Sequence, residues 1–140
     1  TVYENVALAI RKDNSNGEEN SVSEVLSKVG LLDRIEQRSG DLSYGHQRLL
    51  ELAMGMAQKP KLLILDEPTQ GLSDSEIENF KKLIKDISSS TTILLIEHNM
   101  DVVMSIADNI SVLHFGEIIS DGDKETLQND PIVQKAYLGD

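Results

Sequence analysis

Two short apolar runs constrain this 140-residue chain more than anything else in it: Leu62-Leu63-Ile64-Leu65 and Thr91 to Ile96 (TTILLI). Neither alternates with polar residues, and both are too short for a helix. Such runs fit strands buried on both faces of a parallel sheet. Between them, Ile77, Phe80, Leu83, Ile84 and Ile87 recur at helical spacing within residues 74–87. Strand, helix, strand is a βαβ unit, right-handed by the crossover rule. The fold class is therefore α/β.

The flanking sequence is mostly helical. Residues 1–10 read as a short helix, with Thr1 as cap and Glu4 as its capping-box partner. Residues 11–20 are polar and read as a loop. A helix follows from Ser21 or Ser23, with Gly30 as its stop. Leu31 to Gln37 suggests a further short helix, and residues 38–45 a Ser/Gly-rich turn. From His46 to Gln58 a helix carries Leu49, Leu50, Ala53, Met56 and Ala57 on one stripe, and Lys59-Pro60 ends it. After the βαβ unit come a helix from Asn99 to Ala107, strands Ile110–His114 and Glu117–Ser120 joined at Phe115-Gly116, and helices over 123–129 and 131–138. The reading divides the chain into a helical part, 1–58, and an α/β part, 59–140.

Composition excludes several functions. The net charge of −11 opposes a phosphate-backbone binder, which needs a cationic face. With two Phe, three Tyr and no Trp, a base-stacking platform is not expected either. The absence of Cys removes disulfides, thiolate metal sites and Cys nucleophiles. No apolar run approaches the roughly 20 residues of a membrane span.

The first strand runs into Asp66-Glu67 and the second into Glu97-His98. In a parallel sheet both pairs leave the same carboxyl edge, where open α/β sheets bind ligands. An apolar strand followed by Asp-Glu suits phosphoryl transfer. Asp66 would hold Mg²⁺ through water, because that ion keeps much of its hydration shell. Glu67 would orient or deprotonate the attacking water. His98 would sense the third phosphate. Taken singly, the acidic pair equally suits a cap on the next turn, and His98 a cap on the next helix. Ser43 and Gly45 lie just before a predicted helix N-terminus, where free amides and the helix dipole favour phosphate. Ser and Gly also serve any helix start. His114 and the four methionines read as structural.

LSYGHQ (42–47), LLILDEPTQGL (62–72) and LLIEHNM (94–100) together resemble the ATP-binding subunits of ABC transporters. They correspond in order and spacing to the signature motif, the Walker B strand with its D-loop, and the switch-histidine loop. The resemblance implies a partial P-loop NTPase-type fold: the helical subdomain over 1–58 and the C-terminal half of the ATPase core over 59–140. Leu42, Ser43, Tyr44, Gly45 and His46 would address the nucleotide of the opposite subunit. Gly71, Ser73 and Asp74 would form the D-loop. ATP and Mg²⁺ are the implied cofactors. The implied partners are a second ABC ATPase subunit and transmembrane permease subunits, with no nucleic acid. The location would be the cytoplasmic face of a membrane, held through the permease.

The departures from the family pattern are specific. Tyr44 replaces the first signature glycine, and His46 stands where Gln is usual. Tyr44 narrows the approach to the backbone unless its ring turns outward. Ser73 stands where the D-loop usually has Asp, with Asp74 one place later, which suggests weakened cross-talk between sites. The YG signature, the non-Asp D-loop and the ending PIVQKAYLGD resemble the subgroup importing branched-chain amino acids or urea. None of the nine glycines is followed by Lys, so there is no phosphate cradle of the G-x-x-x-x-G-K type. The resemblance places that cradle, the adenine-contacting aromatic residue and the glutamine loop before Thr1. The chain is expected to be a C-terminal fragment, inactive as an ATPase by itself.

Two other functions compete. One is a non-catalytic interaction module that pairs with or regulates a complete ABC ATPase. The other is a soluble ABC ATPase of DNA repair or translation, which the acidic balance and the lack of a coiled-coil repeat oppose.

Overall fold

The computed structural model describes residues 1–10 and 18–135. The chain forms two compact units, Thr1–Glu97 and His98–Asp140.

In the first unit, helix α1 spans Val2–Ala9, and Thr1 and Glu4 make the expected capping box. Its amides at Val2 and Tyr3 bond to the carbonyls of Gln37 and Ile35, fixing α1 to the 35–37 segment. Helix α2 spans Glu18–Lys28, so it begins before the predicted Ser21 or Ser23. The rest of the expected 11–20 loop lies outside the described residues. Gly30, at φ +73°, stops α2. Leu31 N–H bonds to Leu26 O at 2.8 Å and Gly30 N–H to Ser27 O at 3.2 Å, the two bonds of a Schellman motif. Val22, Leu26 and Leu31 are fully buried. Each contributes about 1.5–3 kcal/mol by leaving water.

The expected short helix after Leu31 is a 3-10 turn at Leu32–Arg34, and a second such turn covers Ser39–Asp41. Helix α3 spans Tyr44–Ala57, two residues earlier than the predicted start. The reason is Ser43: its hydroxyl accepts the His46 amide, which makes Ser43 the N-cap and draws Tyr44 and Gly45 into the first turn. Leu52 joins Leu50, Ala53 and Ala57 among the buried residues of α3, wider than the predicted stripe.

Strand β1 (Leu62–Asp66) pairs in parallel with strand β2 (Thr92–Ile96), from Leu62↔Thr92 to Asp66↔Ile96. Helix α4 (Asp74–Ser88) connects them, burying Phe80, Leu83, Ile84 and Ile87. The expectation of burial on both faces fails. Leu62, Ile64, Leu94 and Ile96 are 51%, 58%, 50% and 49% exposed, because a two-stranded sheet is covered here on the Leu63 side only.

In the second unit, helix α5 spans Met100–Ile106, with the Asn99 side chain accepting the Val102 amide as its cap. Strands β3 (Ile110–His114) and β4 (Glu117–Gly122) form an antiparallel hairpin with an irregularity after Val112. Phe115 and Gly116 both have positive φ, +47° and +83°, as a two-residue type I′ turn requires. Helices α6 (Lys124–Gln128) and α7 (Pro131–Val133) follow, capped by Asp123 and Asp130. Ile110, Val112, Leu127 and Val133 form the core of this unit, with Val103, Met104, Ala107 and Ile119 packed against it. The predicted 131–138 helix extends beyond the described residues, as does the end of the PIVQKAYLGD segment.

Candidate functional site

Parallel pairing sets the positions of the first acidic residues. Asp66 is the last residue of β1, on the exposed side shared with Leu62 and Ile64. The Glu67 amide continues the ladder by bonding to Ile96 O at 2.9 Å. Glu67 itself has φ +45°, a backbone conformation that a side-chain-bearing residue adopts at a cost. That geometry breaks the strand and turns the chain into Pro68. Two bonds then close the turn, Gln70 N–H to Glu67 O at 3.2 Å and Leu72 N–H to Thr69 O at 3.1 Å.

Thr69 is 5% exposed and is the one buried polar residue among those described. Its amide bonds to Glu97 Oε1 at 3.0 Å, and its hydroxyl donates a short bond to the same oxygen. Glu97 thus ties the end of β2 to the turn after β1. The residue pattern groups Glu97 with the site carboxylates and gives no sign of this structural role. The pairing of β1 with β2 places the two strand ends side by side, but nothing in the residue types marks Thr69 as the partner. His98 follows Glu97 and begins the second unit. The cap of α5 is Asn99, so the alternative of a capping His98 is set aside.

The Leu42–His46 segment adopts a different arrangement from the predicted loop. Leu42 is buried, while Ser43 is exposed at the N-cap of α3. The Ser43 hydroxyl lies 2.7 Å from His46 Nδ1, so the imidazole occupies the third helical position and turns back on the cap. Tyr44 and Gly45 hold the first-turn amides, which have no acceptor within the helix. The Tyr44 ring rests against Gly71. A Cβ on Gly71 would fall 2.7 Å from Tyr44 Cε1 and 2.9 Å from Cδ1, and Gly71 already has φ +76°. Arg48 donates to the Tyr44 hydroxyl from Nε at 3.2 Å and Nη2 at 2.9 Å.

Ser73 caps α4. Its hydroxyl accepts the Glu76 amide at 3.4 Å, and the Glu76 carboxylate accepts the Ser73 amide at 2.8 Å. The Ser73 amide first, and then the Ser73 hydroxyl, which donates to Glu76 Oε2 at 2.7 Å, hold the Glu76 carboxyl below the usual range, with a smaller contribution from His46. Asp74 begins the helix and is exposed. A cavity of about 240 Å³ opens beside Asp66, lined by Arg48, Leu52, Leu63, Pro68 and Leu72 among others. It is smaller than the roughly 300 Å³ lower bound of ligand pockets. Among the described residues no cluster of three or more acidic or His side chains is arranged to hold a metal.

The ABC transporter family profile matches residues 1–70. The chain belongs to the ABC transporter family. Over 117 residues it is 42% identical to the high-affinity branched-chain amino acid transport ATP-binding protein LivG of Salmonella typhimurium, covering 82% of this chain and 46% of that protein. The corresponding BraF of Pseudomonas aeruginosa is 44% identical over the same shares. Among solved ABC structures, cbiO1 from Clostridium perfringens, part of the cbiONQ transporter complex, superposes with a TM-score of 0.82 at 27% identity, covering 99% of this chain and 57% of that one. The α/β fold is therefore that of ABC ATPases. This ABC chain spans about half the length of the curated relatives it matches.

Proposed function

We propose that this chain contributes to the ATP-binding subunit of an ABC importer of a small solute, amino acids or urea. The observation that carries the proposal is one unit holding both a Ser43-capped helix start and an Asp66-Glu67 pair at the carboxyl edge of a parallel sheet. The names of LivG and BraF support the substrate class.

Under this reading Mg²⁺ supplies charge neutralisation for the phosphates. Asp66 fits it: one exposed carboxylate suffices for an ion that keeps its waters and is carried by the nucleotide. Glu67 holds and orients water, accepting its proton. His98 contacts the terminal phosphate. Leu42 to His46 address a nucleotide held by a second ATP-binding subunit, with the first-turn amides of α3 as donors. Gly71, Ser73 and Asp74 form the turn facing that subunit. Residues 1–58 serve as the helical subdomain, and 59–140 as part of the core. A permease holds the subunit at the cytoplasmic face of the membrane. Among the described residues no helix is long and apolar enough to cross one.

With no glycine followed by lysine in its 140 residues, the chain by itself is inactive as an ATPase. The same observation supports a second reading, an interaction module that pairs with a complete ABC ATPase. The test is to mix the chain with a complete ATP-binding subunit and follow association by sedimentation with and without ATP. Association that requires ATP is expected. Association indifferent to ATP favours the module, and none at all overturns both readings. Steady phosphate release by the chain alone, lost in Glu67→Gln, overturns its inactivity.

A further inference from the structure

We propose that Tyr44 is a positioning residue that fastens the 69–73 turn to the start of α3, so that the two segments present themselves to a partner as one surface. This deepens the reading above, which directs both segments at a second subunit.

The fastening is made on two consecutive residues. Tyr44 lays its ring edge on Gly71, where any side chain would overlap Cε1 and Cδ1. Gly45, next in the helix, lies against α4: a Cβ there would overlap the Glu76 carboxylate and come within 3.2 Å of Leu72 Cδ2. Glu76 is itself held by Ser73 at the end of the same turn. At its other end, the Tyr44 ring is pinned by Arg48, whose guanidinium carbon lies 5.2 Å from the ring centroid and whose Nε and Nη2 donate to the hydroxyl. Glu51 holds Arg48 in turn, at 2.7 Å. Tyr44 as a whole remains 47% exposed, which leaves it within reach of a partner.

The ring contact on Gly71, the hydroxyl tether to Arg48 and the closeness of Gly45 to Glu76 are three separate features directed to one geometry. A bulky residue in the first glycine position of the signature is thus accommodated by contact within the chain.

Amide exchange at Leu72 and Ser73 reads the fastening directly, since the Leu72 amide is bonded to Thr69 O within the turn and the Ser73 amide to the Glu76 carboxylate beside Gly45. Tyr44→Ala should speed their exchange about tenfold, and Tyr44→Phe, which keeps the ring, much less. The β1 amides report whether the fold is intact. In the unaltered chain the Gly71 Hα resonances should be displaced by the ring current. Unchanged exchange in Tyr44→Ala with β1 protected overturns the proposal, and so do undisplaced Gly71 resonances. Should Tyr44→Ala lose β1 protection, the Gly71 resonances decide alone. The ATP-dependent association described above should weaken about tenfold in Tyr44→Ala and persist in Tyr44→Phe. Association that ignores Tyr44→Ala overturns the positioning role. If no variant associates, the functional reading fails while exchange still decides the fastening.

Discussion

Glu97 holds Thr69 twice with one carboxylate oxygen, accepting both its backbone amide and its hydroxyl. Thr69 is buried, so each donor would be costly to leave without an acceptor. Glu97→Ala should therefore destabilise the chain by about 1–3 kcal/mol in urea unfolding. Glu97→Gln keeps a carbonyl acceptor and should lose less. Equal losses would show that the charge, not the acceptor, is what matters.

Gly71 and Gly30 have nearly the same φ, +76° and +73°, but different surroundings. Nothing lies within 4 Å of a Cβ on Gly30, whereas Tyr44 meets one on Gly71. Gly30→Ala should cost about 1–2 kcal/mol from the backbone alone. Gly71→Ala should cost more, and combining it with Tyr44→Ala should recover the excess. A double-mutant cycle on thermal unfolding checks this.

Glu76 gives a pH dependence with a definite sign. Its carboxyl is lowered by the Ser73 backbone and hydroxyl. A lowered carboxylate adds stability that is complete above its unfolded value of about 4.3 and fades as pH falls through the folded one. Acid unfolding of the unaltered chain should therefore steepen below about pH 4. Ser73→Ala should raise the Glu76 midpoint in an NMR titration and soften that dependence.

The exposed sheet face leads to a solution prediction. Leu62, Ile64, Leu94 and Ile96 form an apolar row beside two strand edges. The chain should self-associate with rising concentration in sedimentation velocity. Ile64→Lys should reduce this while leaving the thermal midpoint nearly unchanged, since the side chain is already in water.

Much of the architecture was legible because it rests on local pattern. The βαβ unit came from two apolar runs around the Ile77–Ile87 stripe, and the hairpin from the Phe115-Gly116 turn. The Thr1–Glu4 capping box was equally visible. Burial on both faces of β1 was misread because a run of Leu and Ile says which residues suit a covered sheet, not whether a layer covers Ile64. The start of α3 was misplaced because Gly45 reads as a turn residue. Its real constraint is the nearness of Glu76, about thirty positions away. At the candidate site, the position of Asp66 and Glu67 at the carboxyl end of β1 follows from the apolar run before them, while the Thr69–Glu97 bond joins two loops whose meeting no local rule describes.

The positive φ at Glu67 sets two demands against each other. Glycine would adopt that backbone freely, and asparagine nearly so. A glutamate there holds its carboxylate at the end of β1 while the main chain sits in a conformation it does not prefer. The most comfortable version of this turn is one with no acid in it, and an effort to make the chain more robust by relaxing its backbone would begin by deleting the carboxylate to which the proposed function assigns the water.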